Sequence, residues 1–199
     1  MDRENLGKEI AQDQNRWVGD NVWSSTFQGR VPISDIFNNT GNKIPFVCGD
    51  GPDWLHYANG INLQEEIPEI SRNYPGGRWP RASYAWLEVL YHPNHIGNTH
   101  IQDMQGVGDS FRFTEDNLPE LGDTLVMQFS NNVADLSGAN HVVSIVEVHG
   151  DTLDKIMIFE GNPAHNTSVI HSLDESLREA GDVRYIIYGY PNLPSGGTP

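Results

Sequence analysis

The sequence predicts an α+β fold in which one helix packs on an antiparallel sheet of four to six strands. Two observations support this class. A segment with apolar residues at helical spacing comes before residue 92, and a run of strand-like segments follows Gly122. A helix followed by closely spaced strands is typical of an α+β domain, because the short connections between the first three strands leave no room for further helices.

The predicted helix covers residues 81–91. Its apolar residues lie at positions 82, 86, 89 and 90, a spacing that places them on one face of a helix. Pro80 precedes this segment and Pro93 ends it, because proline is tolerated at a helix start but not in its interior. The stretch 92–121 is predicted to be mostly loop, with a short helix around 98–105.

Four segments rich in β-branched and aromatic residues are predicted to be strands, at 124–129, 141–148, 155–159 and 184–189. Short turns separate them, so we expect an antiparallel meander. Residues 76–193 then form the core. Residues 1–75 are predicted to be an irregular N-terminal region that packs on this core, and residues 194–199 a disordered tail.

The charge balance excludes some partners. The chain of 199 residues has a formal net charge of −15, which argues against unassisted binding to nucleic acid or to an anionic membrane face. No apolar run approaches a membrane span, so we expect no membrane insertion. The start, Met1 to Leu6, is charged and shows no signal peptide. A protein of this kind that acts in the periplasm or outside its cell would need a dedicated secretion system, or a leader already removed.

Polar residues at strand ends indicate one candidate site. His141 opens the second predicted strand, and Glu160 and Asn162 end the third. In adjacent antiparallel strands, the start of one lies beside the end of the next. We therefore expect the imidazole of His141 to meet Glu160 or Asn162, a pairing suited to a general base and the group that orients it.

These motifs resemble the NlpC/P60 and CHAP class of papain-like cysteine peptidases and amidases. The resemblance covers about 80 of the 199 residues and is carried by Gly122-Asp123, His141-Val142, Ile145-Val146 and Glu160-Gly161-Asn162. It implies a papain-like core that hydrolyses an amide or peptide bond in bacterial peptidoglycan without a cofactor. It further implies an antibacterial effector, with an immunity protein as partner, or a lysin.

The nucleophile departs from the family pattern. The resemblance implies a cysteine at the start of a helix about 40 residues before Gly122, where this chain has Ala82 followed by Ser83. Three explanations stay open. Cys48, the only cysteine, serves instead; Ser83 is a hydroxyl nucleophile; or Ala82 replaces a lost catalytic cysteine. The third favours a rival hypothesis, a non-catalytic protein that binds a peptide or a partner on the same scaffold.

Other residues are candidates for a substrate groove or a metal site. Trp54 and Trp79 are the candidate substrate-groove residues, since each lies beside a candidate nucleophile segment, and a sheet protein that binds carbohydrate through its tryptophans is a third hypothesis. His92, His95 and His100 do not match a zinc signature. The acidic stretch from Asp50 to Glu69 lacks the alternation of a calcium loop. We therefore predict no metal site.

Overall fold

The computed structural model describes residues 48–49, 52, 68, 83–91, 99–108, 110–162 and 167–190, with backbone alone at 83–85, 140, 161–162 and 167–169. Most of the predicted N-terminal region and the whole predicted tail lie outside these residues. The described part has an α+β fold, as the sequence predicts, with a six-stranded antiparallel sheet and two helices. Neither helix is long and apolar enough to cross a membrane.

The helices are α1 (Ser83–Tyr91) and α2 (Leu173–Ala180). The strands are β1 (His100–Asp103), β2 (Thr124–Gln128), β3 (Ala139–Val148), β4 (Ile156–Asn162), β5 (Thr167–Ser172) and β6 (Tyr185–Gly189). Three single turns of 3-10 helix lie at Glu115–Asn117, Leu136–Gly138 and Leu153–Lys155. The strands are ordered β1-β6-β2-β3-β4-β5 across the sheet.

The predicted helix and all four predicted strands are present, with ends shifted by a few residues. The predicted meander holds for the first three of these strands, but the prediction for the fourth is wrong. Strand β6 crosses back to pair with β2, with Ile187 opposite Val126. The cause is a strand and a helix that the sequence analysis missed, since β5 takes the free edge of β4 and α2 follows it.

The short helix expected around 98–105 is also wrong. Residues 100–103 form the edge strand β1, which pairs with β6 so that Ile101 lies opposite Ile187. The side chain of Ile101 is exposed, and the strand alternates between half-buried and exposed positions. Backbone pairing with β6, which supplies partners for the main-chain groups, therefore decides its conformation rather than burial of an apolar face.

Helix α2 shows clear local signals. The hydroxyl of Ser172 accepts a hydrogen bond from the backbone N–H of Glu175, which caps the helix start. Ser172-Leu-Asp-Glu175 has the sequence of a capping box. The helix ends at Gly181, whose φ of 87° lies in the region that favours glycine.

In the part of the chain that the structure describes, two apolar clusters hold the helices and the sheet together. On one face of the sheet, α1 packs through Trp86, Leu87, Val89 and Leu90 against Val126, Ala139, Val142 and Ile187, and Cys48 belongs to this cluster. The other cluster joins α2 to the sheet and includes Leu125, Met127, Val143, Ile145, Ile158, Leu173 and Tyr188. Successive residues of β2 enter different clusters, as the alternation of a strand requires. The sheet is therefore covered on both faces.

The packing of α1 gives a stability prediction. Trp86 is fully buried in the first cluster. We expect Trp86→Ala to lower the free energy of unfolding by about 3–5 kcal/mol, because it removes a large buried side chain and leaves a cavity. Urea denaturation measures the change. The exposed Ile101 is the control, and Ile101→Ala should change the free energy by no more than about 0.5 kcal/mol. Equal losses in the two variants would contradict this packing.

Candidate functional site

A β-bulge and a loop held by hydrogen bonds position the start of β3. Met127 lies opposite His141 and Gln128 opposite Ala139, so Asn140 is the extra residue of a β-bulge. Bulges change the direction of nearby side chains. The buried amide of Gln128 fixes the preceding loop, since its Nε2 donates to the carbonyl of Asp135 at 2.8 Å and its Oε1 accepts from the backbone N–H of Ser130 at 2.9 Å.

Gly138 completes this arrangement. A Cβ at this position would lie 2.0 Å from Oε1 of Gln128 and 2.4 Å from Cβ of Ser130. Any larger residue would therefore displace the Gln128 amide or the loop that it holds. The sequence analysis noted a glycine in the loop but gave no role to Gln128, because its importance depends on burial and on contacts along the loop.

The Gly-Asp motif fixes the register of β2 and β3 at the end of the pair opposite the bulge. Gly122 donates its N–H to the carbonyl of Ile145, and the N–H of Ile145 donates to the carbonyl of Asp123. The buried Asp123 carboxylate accepts from the backbone N–H of Glu120 at 2.9 Å. Gly122 has a φ of 86°, so a side chain there would be strained. This motif has a structural role at the start of β2.

The expected pairing of His141 with Glu160 is present. Nε2 of His141 lies 2.7 Å from Oε2 of Glu160, with side chains 21% and 7% exposed. Asn162, the alternative partner, ends β4 with its backbone paired to Thr167, and its side chain lies outside the described atoms. Glu160 is therefore the residue observed to contact and orient the imidazole.

Cys48 interacts with the imidazole. It is buried, occupies a turn with Gly49, and its side chain contributes to the raised pKa of His141 through hydrogen bonding and charge. Because Glu160 engages Nε2, the ring nitrogen left for the sulfur is Nδ1. Pro52 is helical and buried. The structure thus brings Cys48, His141 and Glu160 together in that order.

The surroundings favour charge on both the imidazole and the carboxylate. Burial alone lowers the pKa of His141, but the hydrogen bonds and negative charges of Cys48 and Glu160 outweigh it and raise that pKa to about 9. Burial alone raises the pKa of Glu160. The hydrogen bond and charge of His141, the charge of His171 and the hydrogen bond from Ser176 reverse this effect and leave the pKa of Glu160 lowered.

Two residues that the sequence analysis missed complete the surroundings of Glu160. The hydroxyl of Ser176, on α2, donates to Oε2 of Glu160 at 2.9 Å. Nε2 of His171, on β5, lies 3.0 Å from Oε1 of the same carboxylate. The capping box that begins at Ser172 could have identified α2, but no sequence signal indicated that either residue faces Glu160.

The remaining candidates are either dispersed or outside the described part. His100 hydrogen-bonds to Asn117 at 3.2 Å and stacks on Tyr188, an arrangement that explains this histidine by packing. The other candidates lie outside the described residues: Ala82, the side chain of Ser83, Trp54, Trp79, His92, His95 and the acidic residues at 50, 53, 65, 66 and 69.

Comparison with known proteins adds no relative. No family model matches the chain, and neither the curated proteins nor the solved structures include a match. The resemblance to papain-like enzymes therefore depends on the short motifs given above. The geometry of the site itself indicates its chemistry, since a thiol, an imidazole and a carboxylate are in sequential contact.

The ionisation of His141 gives the second prediction. Replacing Glu160 by glutamine keeps the side-chain volume but removes its negative charge, so the pKa of His141 should fall below about 9. The chemical shifts of the His141 ring, followed by NMR between pH 5 and 10, measure this change.

The exposed pair of His149 and Glu147 provides a matched control, since its Nε2–Oε2 distance is also 2.7 Å. Glu147→Gln should leave the titration of His141 unchanged. A His141 titration that is the same in Glu160→Gln and in the unmodified chain would show that the carboxylate does not stabilise the imidazolium.

Proposed function

We propose that the chain hydrolyses an amide or peptide bond in bacterial peptidoglycan, with Cys48 as nucleophile, His141 as general base and acid, and Glu160 as the orienting residue. The observation that carries this proposal is the sequential contact of the three side chains. A thiol beside an imidazole whose second nitrogen is held by a carboxylate is the arrangement that nucleophilic catalysis by cysteine requires.

The reaction follows from these contacts. A protonated His141 beside the sulfur favours the thiolate, which is the nucleophilic form of cysteine. The thiolate attacks the carbonyl carbon, and the resulting tetrahedral intermediate collapses as the imidazolium gives its proton to the departing amine nitrogen. His141 then takes a proton from water, the hydroxide attacks the thioester carbonyl, and the carboxylic acid product leaves as the sulfur is released.

Glu160 keeps the ring correctly placed through both steps. Its hydrogen bond to Nε2 fixes the orientation of the imidazole and leaves Nδ1 facing the sulfur, and its negative charge stabilises the imidazolium. Ser176 holds the carboxylate through a hydrogen bond, and His171 lies beside its other oxygen. A helix packed on an antiparallel sheet whose strand β3 carries the histidine supports the proposal, because the resemblance implies a core of this kind.

Among the three explanations for the nucleophile, the contact between Cys48 and His141 favours Cys48. Residue 82 and the side chain of Ser83 lie outside the described atoms. The acidic balance of the chain and its size suit an antibacterial effector with an immunity partner, or a lysin. This setting depends on analogy with the family.

One observation favours the rival function. Cys48 is only 8% exposed, and a buried thiol is commonly a packing residue. On that reading the chain is a non-catalytic protein that binds a peptide or a partner, and the Cys48–His141–Glu160 contacts stabilise its scaffold. Reactivity of the sulfur separates the two functions.

Alkylation of Cys48 is the third prediction. Because Cys48 is the only cysteine, iodoacetamide labels a single site that mass spectrometry can follow. We expect rapid labelling at pH 6, and a rate at least about tenfold lower in His141→Ala, because the variant loses the group that favours the thiolate. The ratio of the two rates should shrink in alkaline solution, because a thiol then ionises without an imidazolium beside it.

His149→Ala, which removes an exposed histidine, is the control and should label at the unmodified rate. Labelling that is slow in the unmodified chain and unaffected by His141→Ala would identify Cys48 as a packing residue and support the binding function.

Digestion of purified peptidoglycan sacculi is the fourth prediction. We expect the unmodified chain to release soluble fragments, and Cys48→Ala to reduce the rate by at least about a thousandfold, as loss of a nucleophile does in other hydrolases. Ser83→Ala should digest normally. The opposite result, activity lost in Ser83→Ala but kept in Cys48→Ala, would identify Ser83 as the nucleophile. Activity that appears only in Ala82→Cys would indicate a lost catalytic cysteine.

A further inference from the structure

Three protein ligands of a type that suits zinc converge beside the proposed active site. The carboxylates of Glu160 and Glu179 and a ring nitrogen of His171 each offer one ligand atom, and these atoms all lie within 4.8 Å of one another. They come from β4, β5 and α2. His171 lies opposite Ile158 in the pairing of β5 with β4, and α2 begins directly after β5. Two of the ligands are therefore held by paired strands and the third by the adjoining helix.

The ring of His171 supplies an independent observation. Its side chain is 13% exposed, and its Nε2 is inaccessible to solvent. This nitrogen lies 3.0 Å from Oε1 of Glu160 and makes no hydrogen bond with any described atom. In the ring with its proton on Nδ1, the Nε2 lone pair is free to bind a cation beside this oxygen. Such a cation would satisfy the buried nitrogen and the carboxylate together.

A metal-bound histidine usually has a polar partner at its other ring nitrogen, and here a carboxylate lies beside that nitrogen, just beyond hydrogen-bond distance. Nδ1 of His171 lies 3.6 Å from Oε2 of Glu175, which is placed four residues later at the start of α2. A carboxylate beside the non-coordinating nitrogen keeps the proton there and directs the opposite nitrogen to the metal. Glu175 is thus positioned to support His171 as a ligand through Nε2.

We propose that His171, Glu160 and Glu179 form a binding site for a divalent transition metal, with Zn²⁺ as its expected occupant. One imidazole and two carboxylates are three protein ligands, the number found in zinc sites that keep an open position. The imidazole disfavours Mg²⁺ and Ca²⁺, which prefer oxygen ligands. A Zn²⁺ ion at about 2.0–2.2 Å from each ligand can bridge atoms 3.0 Å apart, and the exposed Glu179 can move to complete the site.

The site shares Glu160 with His141, but through a different oxygen. Oε2 accepts from His141 and Ser176, whereas Oε1 faces His171. Metal binding therefore does not require the thiol, and the binding proposal does not depend on catalysis. This separation allows a test that distinguishes the new site from Zn²⁺ captured by Cys48 and His141, which is a common mode of zinc binding to a thiol–imidazole pair.

Calorimetric titration of Zn²⁺ into the full chain in a non-coordinating buffer tests the proposal. In Cys48→Ser, we expect one Zn²⁺ to bind per chain, with affinity similar to that of the unmodified protein. In the same background, Glu179→Gln and His171→Ala should each weaken binding at least about tenfold, and Glu175→Gln should weaken it by a comparable factor. Co²⁺ should give visible absorption bands without a thiolate charge-transfer band.

Two controls make the result specific. Glu147→Gln and His149→Ala remove members of an exposed histidine–glutamate pair elsewhere on the sheet, and neither should change the affinity. Because Glu179 is exposed, its substitution should leave folding intact, which circular dichroism checks for every variant. The proposal is overturned if Cys48→Ser abolishes binding, if no Zn²⁺ binds, or if Glu179→Gln and His171→Ala both bind as tightly as the parent.

Discussion

The buried carboxylate of Glu160 is the interaction on which the rest of the site depends. A carboxylate that is 7% exposed loses most of its hydration, and an unpaired charge in such a place would cost several kcal/mol. Glu160 is compensated by His141 from β3, His171 from β5 and Ser176 from α2. Each of these partners comes from a different element, so the charge can be buried only when β3, β4, β5 and α2 are all assembled.

Through His141, the same carboxylate connects the two faces of the sheet. Ser176 lies on α2, which covers one face of the sheet, whereas Cys48 packs in the cluster that α1 forms on the other face. His141 contacts both Glu160 and Cys48 from the start of β3. The imidazole therefore joins groups held by separate hydrophobic clusters. Packing on both faces limits how far the sulfur and the carboxylate can move apart, which is the preorganisation that proton transfer needs.

Local contacts at both ends of β3 set its position between the sulfur and the carboxylate. The Gly122-Asp123 turn fixes one end of the β2–β3 pair, and the Gln128 amide with Gly138 fixes the loop at the other end. A shift of one residue in this register would turn every side chain of β3 to the opposite face. His141 would then lose contact with Glu160, so these structural residues matter to the site without touching it.

The sequence by itself determined the α+β class, a helix at 81–91, the strands β2, β3 and β4, and a meeting of His141 with Glu160 or Asn162. All of these follow from short-range information: apolar periodicity defines each element, and a short hairpin forces the start of β3 to lie beside the end of β4. Only the tertiary structure decided that β6 pairs with β2, that residues 100–103 form an edge strand, and that Cys48, Ser176 and His171 surround the His141–Glu160 pair. These contacts join segments far apart in the chain, and periodicity within a segment carries no information about which distant segment packs against it.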